Sequence, residues 1–424
     1  MLLNLILLSI DYHAWAATPP MGWNSWDPFG TTITESQALE QAEVMAKRLK
    51  PFGWTYFTVD IQWYEGQSKG FDYNPNARLT MDGYGRLLPA AEKFPSATEK
   101  KGFKPLADAI HKKGLKFGIH MMRGIPRQAV EANLPILGTP YHAADVADRS
   151  STCSWNQDMY GVDMAKPGAQ AYYDSVFRQA AAWGIDFVKV DDLSRPYHQA
   201  EIAGIRRAID KTGRKIVFST SPGETPLSAG SHVNSHANMW RISDDFWDDW
   251  HALLAQFKRL HDWTPFRREG AYPDADMLPL GTVGLGRKSR FTADESRTVM
   301  TLWCVARSPL IDGSDLTKLD DATFSLLTNP EVIAVNQHSG NNRQLFRTEN
   351  AVAWVADVPN SQDRYLAVFN IGETSAKVPV DLKSLGFSGL VRVRDLWTRQ
   401  DLGRLDALAP ELPPHGAELF RVSK

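Results

Sequence analysis

Short apolar runs alternate with amphipathic stretches over the first three quarters of the chain. The run at residues 185–190 is rich in β-branched and aromatic side chains, contains Lys189, and ends in Asp191 and Asp192. A parallel strand that is buried on both faces has this composition, with polar residues where its carboxyl end meets solvent. The run therefore predicts a buried parallel strand that carries two carboxylates at its carboxyl end.

Eight runs of this kind are predicted to be strands, at residues 21–26, 54–60, 116–120, 186–191, 215–220, 239–242, 273–277 and 308–312. Helical patterns lie between them. One begins at Thr34 with a capping box, and another begins near residue 246, with Asp248 and Asp249 as a solvated start. Eight strands in alternation with helices predict an α/β fold, a (β/α)8 TIM barrel that spans residues 17–338.

The pattern changes near residue 339. Short alternating segments follow at residues 351–358, 365–370, 376–380, 391–396 and 417–422, and turn-rich stretches separate them. A period of two is typical of antiparallel strands that bury one face. Residues 339–424 are therefore predicted to form a small C-terminal antiparallel β-sandwich domain.

The amino terminus has the features of an export signal. Residues 1–10 carry no charged side chain, and Ala14-Trp-Ala16 fits a small-x-small cleavage site. This pattern predicts a signal peptide at residues 1–16 and a secreted or periplasmic protein. No other segment is apolar for long enough to span a bilayer, so no membrane partner is expected.

Composition excludes several classes of partner. The 424 residues carry a net charge of −2 and contain no long run of Lys or Arg, so a nucleic acid partner is not expected. Cys153 and Cys304 are the two cysteines, and neither lies at metal-ligand spacing to other residues. We expect neither a metal nor a cofactor, and whether the two thiols are free stays open.

A second acidic strand end changes the interpretation of the first. Asp244 and Asp245 follow the predicted strand at residues 239–242. Two carboxylates on separate strand ends around one pocket are what hydrolysis of a glycosidic bond requires. Lys189 precedes Asp191 by two residues, so both side chains point to the same face and the ammonium favours the ionised carboxylate.

Four motifs resemble glycoside hydrolase family 27, the family of the α-galactosidases. They are Thr18-Pro-Pro-Met-Gly-Trp-Asn-Ser-Trp26, Lys189-Val-Asp191, Arg241-Ile-Ser-Asp-Asp245 and Asp274-Ala-Asp-Met-Leu278. The resemblance implies a retaining, exo-acting α-glycosidase, with Asp191 as the nucleophile and Asp245 as the acid/base. Asp245 would then need a raised pKa, and the two carboxyl groups would lie about 5–5.5 Å apart.

The resemblance also implies a set of substrate-binding residues, which are Trp23, Asp60, Ile61, Trp63, His120, Lys189, Ser221, Arg241 and Met277. Three of them depart from the family's usual residues. Ile61 stands where α-galactosidases carry a second Asp that holds the sugar near C6, and His120 stands where Tyr is common. Ser221 replaces a Glu that touches the 2-OH. A serine at this position resembles the family members that act on 2-acetamido sugars.

The substrate expected from these residues is an oligosaccharide or polysaccharide with a terminal α-linked sugar. α-Galactosidase is the leading interpretation. Ile61 leaves open an isomaltodextranase-like activity or a β-L-arabinopyranosidase, which needs no C6 hydroxyl. A catalytically silent carbohydrate-binding barrel is an alternative of another class, although both predicted catalytic acids, Lys189 and Arg241 are all present. The oligomeric state stays open.

Overall fold

Eight parallel strands form one curled sheet in the computed structural model, which describes residues 11–98 and 100–424. The strands are β1 (Met21–Asn24), β2 (Tyr56–Val59), β3 (Lys116–Met122), β4 (Phe187–Asp191), β5 (Val217–Thr220), β6 (Met239–Arg241), β7 (Tyr272–Asp274) and β8 (Leu310–Asp312). Their order is β7-β6-β5-β4-β3-β2-β1-β8. A parallel bridge between Leu278 and Asp312 joins the chain after β7 to β8 and closes the ring. The predicted barrel is confirmed.

Helices connect the strands on the outside of the barrel. They are α1 (Trp26–Phe29), α2 (Glu35–Val44), α3 (Lys104–Lys112), α4 (Arg127–Glu131), α5 (Ala143–Val146), α6 (Ala169–Trp183), α7 (Gln199–Lys211), α8 (Gly230–Asn234), α9 (Trp250–Trp263), α10 (Ala293–Ala306), α11 (Asp321–Thr328) and α12 (Pro330–His338). Within the described part of the chain, none of these helices has the length and apolar composition needed to cross a membrane.

Shorter elements complete the barrel. A π-helical turn, Met45–Leu49, continues α2, and 3-10 turns lie at Tyr12–Ala16, Gly30–Thr32, Lys50–Phe52, Pro95–Ala97, Leu227–Ala229, Thr264–Phe266 and Leu316–Lys318. Between β3 and α6, the short strands Ile125–Pro126, Ala147–Thr152 and Met159–Val162 form a three-stranded antiparallel sheet. A second small ribbon, Thr282–Val283 with Arg287–Lys288, follows β7.

Local sequence signals explain two of the helix starts. Thr34 and Gln37 form the predicted capping box of α2, and the side chain of Asp249 caps α9 by accepting from the amide of Ala252. The prediction that Asp248 is solvated is wrong. Its carboxylate is buried and accepts hydrogen bonds from the guanidinium of Arg287, at 2.5 and 2.8 Å.

The segment before β1 packs on the end of the barrel where β6 and β7 begin. Tyr12–Ala16 forms a 3-10 turn, and the side-chain amide of Asn238 donates to the carbonyl of Tyr12 at 3.1 Å. The first ten residues of the predicted signal peptide lie outside the described residues. Cleavage after Ala16, and with it a secreted or periplasmic location, stays a prediction.

The C-terminal domain is antiparallel, as predicted. Its main sheet has the order β9-β10-β11-β14-β12-β13, with β9 (Gly340–Arg347), β10 (Ala351–Asp357), β11 (Arg364–Asn370), β12 (Val391–Asp395), β13 (Gln400–Leu405) and β14 (Ala417–Ser423). Ala376–Lys377 pairs with Glu411–Leu412, and a 3-10 turn covers Leu382–Leu385. β9 and β13 were not predicted from the sequence, because these edge strands are largely polar and exposed and so lack the alternation of a half-buried strand.

The barrel and the C-terminal sheet share one continuous core. Phe257 of α9 meets Phe369 of β11 edge to face, with ring centroids 5.0 Å apart, and both side chains are fully buried. The indole of Trp397 donates to the hydroxyl of Thr301 in α10 at 3.0 Å. The sheet is therefore docked on α9 and α10, the two helices that flank β7.

We expect Phe369→Ala to destabilise the whole protein, because it opens a cavity at this shared core. The free energy of unfolding, measured by urea titration, should fall by about 3–5 kcal/mol. Leu390→Ala is the matched control, since Leu390 is 54% exposed and should change stability by less than about 0.5 kcal/mol. Equal losses in the two variants would contradict the shared core.

Candidate active site

A cavity of about 770 Å³ opens at the carboxyl ends of the barrel strands. Five carboxylates and four aromatic rings stand among its walls. The lining residues are Trp26, Asp60, Ile61, Phe71, Tyr73, Thr152, Ser154, Trp155, Lys189, Asp191, Asp192, Arg195, Pro196, Pro222, Gly223, Asp244 and Asp245. Both predicted catalytic acids are in this set, and so are three predicted substrate-binding residues, Asp60, Ile61 and Lys189. A cavity at this end of a barrel is where such folds place their chemistry.

An ion pair occupies the wall between β2 and β4. The ammonium of Lys189 lies 3.0 Å from Oδ2 of Asp60, and the amide of Asn24 donates to the same oxygen at 2.7 Å. Burial acts to lower the pKa of Lys189, but the charges of Asp60 and Asp191 outweigh it and raise that pKa. Burial acts to raise the pKa of Asp60. The interactions with Lys189 and with the imidazole of His120 outweigh burial and lower that pKa. Both groups are therefore charged at neutral pH.

Asp191 is held at both carboxylate oxygens. Nε2 of His120 lies 2.7 Å from Oδ2, and the amide of Asp192 donates to Oδ1 at 3.1 Å. An ionised carboxylate can only accept, so Nε2 carries the hydrogen of the first contact. His120 is fully buried in β3 and does not line the cavity. Its position lets it orient the carboxylate of Asp191.

Arg241 connects Asp245 to the interior of the barrel. Its Nη2 lies 3.3 Å from Oδ1 of Asp245 and 2.8 Å from Oδ2 of Asp276. The guanidinium is fully buried, whereas the side chain of Asp245 is 52% exposed to the cavity. Burial acts to lower the pKa of Arg241, and the charges of Asp276 and Asp245 outweigh it and raise that pKa. Arg241 is thus a fixed cation that holds one oxygen of a carboxylate facing solvent.

The neighbouring acids are bound to other cations. Asp192 has a positive φ of 61° and pairs with the buried guanidinium of Arg123 at 2.7 Å. Asp244 is mostly exposed and pairs with Arg195 at the rim. Asp192 and Asp244 therefore each have an arginine partner outside the barrel interior, whereas Asp191 is bound by His120 and Asp245 by the buried Arg241.

The sequence and the fold were compared with those of characterised proteins. A β-L-arabinopyranosidase of glycoside hydrolase family 27 from Geobacillus stearothermophilus is 51% identical, with a TM-score of 0.96 and with 98% of each chain covered. The chain belongs to family 27. Family models described as alpha galactosidase A and as the alpha galactosidase C-terminal β-sandwich domain match residues 138–338 and 348–422.

Curated α-galactosidases are more distant relatives. Alpha-galactosidase 2 of Arabidopsis thaliana is 27% identical, over 96% of this chain and 90% of its own length. Human alpha-galactosidase A is also 27% identical, over 82% of this chain and 75% of its own length. The protein is accordingly a glycoside hydrolase of the α-galactosidase family.

Two predicted sugar contacts of this family 27 glycosidase, Trp23 and Trp63, do not line the cavity, and their contact with the sugar stays a prediction. Asn24 faces the barrel interior, so Trp23 points to the opposite face, where its indole donates to the carbonyl of Ser314 at 2.7 Å. The indole of Trp63 donates to the carbonyl of His120 at 2.8 Å and is likewise buried. Both tryptophans support the walls from behind.

Ser221 and Met277 lie one layer below the cavity. They line a small space inside the barrel together with Lys189 and Arg241. The hydroxyl of Ser221 is 3.5 Å from Nη1 of Arg241, at the limit of a hydrogen bond. Both residues form part of the floor beneath the cations.

Sequence reasoning missed the aromatic walls. Trp26 stacks on Tyr73 with centroids 6.1 Å apart, and Tyr73 tilts against Trp155 at 5.4 Å. Tyr73 and Trp155 come from long connections without a period, so no pattern marked them. Trp26 lies in the recognised motif at residues 18–26. Its spacing of three residues from Trp23 was the signal that could have identified it as a wall residue. Asp276, which anchors Arg241, was likewise quoted in a motif but given no role.

We expect Asp312→Asn to make stability less dependent on pH. Asp312 is fully buried at the end of β8, and burial raises its pKa from 3.8 to about 7, although the hydroxyl of Ser314 donates to it. Between about pH 4 and pH 7 the folded state therefore keeps a proton that the unfolded state releases. The wild type loses this stabilisation as the pH rises.

Urea unfolding of both proteins from pH 4.5 to pH 7.5 measures the effect. The free energy of unfolding of Asp312→Asn, minus that of the wild type, should increase as the pH rises, by roughly 2–4 kcal/mol over the range. A difference that is constant over this range would contradict the raised pKa of Asp312.

Proposed function

We propose that this glycosidase is a β-L-arabinopyranosidase. The observation that carries the proposal is Ile61, a buried apolar side chain that lines the cavity directly after Asp60. β-L-Arabinopyranose has the ring configuration of α-D-galactose but no hydroxymethyl group at C5. The proposal takes residue 61 to face the C6 end of the sugar, as the family resemblance implies, and there Ile61 cannot accept a hydrogen bond from a 6-OH. A buried hydroxyl without a partner costs about 1–3 kcal/mol.

The relative from Geobacillus supports the same sugar. That protein is a β-L-arabinopyranosidase, and a variant of it has been crystallised in complex with arabinose. Asp60 and Lys189 are available to bind the ring hydroxyls that arabinopyranose and galactose share. We therefore propose that the pocket selects a pentopyranose by lacking a polar group, while it keeps the charged groups that recognise the common part of the two sugars.

The proposed chemistry is a double displacement with retention. Asp191 attacks the anomeric carbon while Asp245 gives its proton to the glycosidic oxygen, so the C–O bond to the leaving group breaks and a glycosyl ester forms. Asp245 then takes a proton from a water molecule that attacks the same carbon, and Asp191 leaves. Lys189 lines the same cavity as Asp191, His120 orients the carboxylate of Asp191, and Arg241 holds Asp245 in place.

α-Galactosidase is the second candidate. The Asp60–Lys189 pair is compatible with it, because these groups can bind a hydroxyl of galactose as well as one of arabinose. The curated relatives that match over most of the chain are also named α-galactosidases. Relative rates on matched nitrophenyl glycosides separate the two candidates.

Ile61→Asp should move the preference toward galactose, because the new carboxylate can accept from the 6-OH and is left unpaired with arabinose. We expect the ratio of kcat/KM for the β-L-arabinopyranoside to that for the α-D-galactopyranoside to fall at least about 10-fold. Ile61→Leu is the matched control and should keep the wild-type ratio. A wild type that prefers the galactoside would contradict the proposed sugar.

Asp191→Gly and Asp245→Ala should separate the roles of the two acids. Each should lower kcat on the wild type's best nitrophenyl glycoside by about 10³-fold or more. Azide should then restore turnover in both. It should give the inverted glycosyl azide with Asp191→Gly, because azide enters the face that the nucleophile left, and the retained azide with Asp245→Ala.

Proton NMR of the first product tests the wild type in the same assay. A product with the anomeric configuration of the substrate is expected. An inverted first product, or near-normal activity in Asp191→Gly without azide, would contradict the double displacement.

A further inference from the structure

The cavity is larger than one pyranose ring requires. Its volume of about 770 Å³ lies toward the upper part of the range for sites that enclose a drug-sized ligand. The acids, Lys189 and Ile61 line only part of its wall. The rest includes four aromatic rings and the Arg195–Asp244 pair, which have no role in the proposed chemistry on the first sugar.

The aromatic rings form a series from the barrel mouth to the rim. Trp26 packs against the apolar cluster inside the barrel and stacks on Tyr73, with 8° between the two ring planes. Trp155 follows at 5.4 Å and is 36% exposed. A tryptophan held at a cavity wall with so much surface in water is suited to pack against the apolar C–H face of a sugar ring, while its N–H can meet a hydroxyl.

The loop that carries Trp155 is fixed in place. The carboxylate of Asp158 accepts hydrogen bonds from Gln62 at 2.8 Å, from Tyr64 at 2.8 Å and from Asn156 at 3.0 Å. These four side chains are buried, so the loop is tied to the connection that follows β2. A platform that is ordered before binding loses little conformational entropy when a ligand arrives.

Arg195 and Asp244 lie on the same cavity, and each is more than half exposed. Arg195 follows β4 and Asp244 follows β6, so the pair joins the ends of the two strands that carry the proposed catalytic acids. Asp244 is the immediate neighbour of Asp245, which gives its proton to the leaving group. Whatever leaves therefore lies near this pair, which offers both donors and an acceptor and has no net charge.

We infer that Trp155 and the Arg195–Asp244 pair form a subsite for the leaving group, and that the leaving group is a neutral sugar unit of an oligosaccharide or polysaccharide. The inference rests on the proposed glycosidase chemistry at Asp191 and Asp245. It does not depend on whether the first sugar is arabinose or galactose. The leaving sugar stacks on the indole and exchanges hydrogen bonds with the ion pair.

Glycosyl fluorides test this subsite, because fluoride is a leaving group with no ring to stack. The two glycosyl fluorides are β-L-arabinopyranosyl fluoride and α-D-galactopyranosyl fluoride. Each is compared with a disaccharide in which the same sugar is linked to galactose. For Trp155→Ala, we expect kcat/KM relative to wild type to fall at least about 10-fold more for the disaccharide than for the fluoride. The loss should lie mainly in KM. Trp155→Phe should recover most of it, and Arg195→Gln should show a smaller loss in the same direction.

Tyr84→Ala is the matched control, since Tyr84 is a similarly exposed aromatic residue, 38%, that does not line the cavity. It should affect the two substrate types equally. Equal effects of Trp155→Ala on disaccharide and fluoride would overturn the subsite while leaving the proposed function intact. If the wild type prefers the galactosyl fluoride, the proposal of arabinose as the first sugar is wrong. The comparison of the galactosyl fluoride with the galactosyl disaccharide would still test the subsite.

Discussion

Two buried cations hold together a barrel mouth that is otherwise built from carboxylates. Lys189 pairs with Asp60, and Arg241 pairs with Asp276 and reaches Asp245. Parallel strands bring their carboxyl ends to one rim, so acids that are far apart in the sequence meet there. Removing either cation would leave unpaired charge in the interior, at a cost of about 3–5 kcal/mol. Stability and chemistry therefore depend on the same pairs.

Two other acids near the rim have a raised pKa. Burial, helped by the charge of Asp276, raises the pKa of Asp27 well above its usual value. Burial also raises the pKa of Asp274, to about 7. Neither group lines the cavity. At these two acids burial opposes ionisation, whereas at Asp60 the charge of Lys189 outweighs burial and lowers the pKa.

The barrel could be predicted from sequence because its strands are buried on both faces and read as uninterrupted apolar runs. The acids at the ends of β4 and β6 followed from the same signal. Of Trp23 and Trp26, Trp26 lines the cavity. The sequence does not show which of the two does so, because this depends on where β1 ends and α1 begins. Trp155 was out of reach for another reason, because its position depends on the contacts of Asp158 with a segment nearly a hundred residues earlier.

In the proposed function, recognition of the sugar is divided between two residues that are neighbours in the sequence. Asp60 is a charged anchor fixed by Lys189 and Asn24, whereas the side chain directly after it is apolar. The anchor can serve every sugar that shares the same ring hydroxyls. The adjacent position can then change the preferred sugar without disturbing the ion pair, which is one physical reason why a single scaffold hosts several activities.

The two edge strands of the C-terminal sheet, β9 and β13, escaped the sequence analysis because they are polar. An unpaired strand edge is a template on which another chain can add, and charged side chains along it oppose such pairing. β9 carries Arg343 and Arg347, and β13 carries Asp401 and Arg404. The polarity that made these strands hard to predict from the sequence therefore also opposes edge-to-edge pairing of the sheet with another chain.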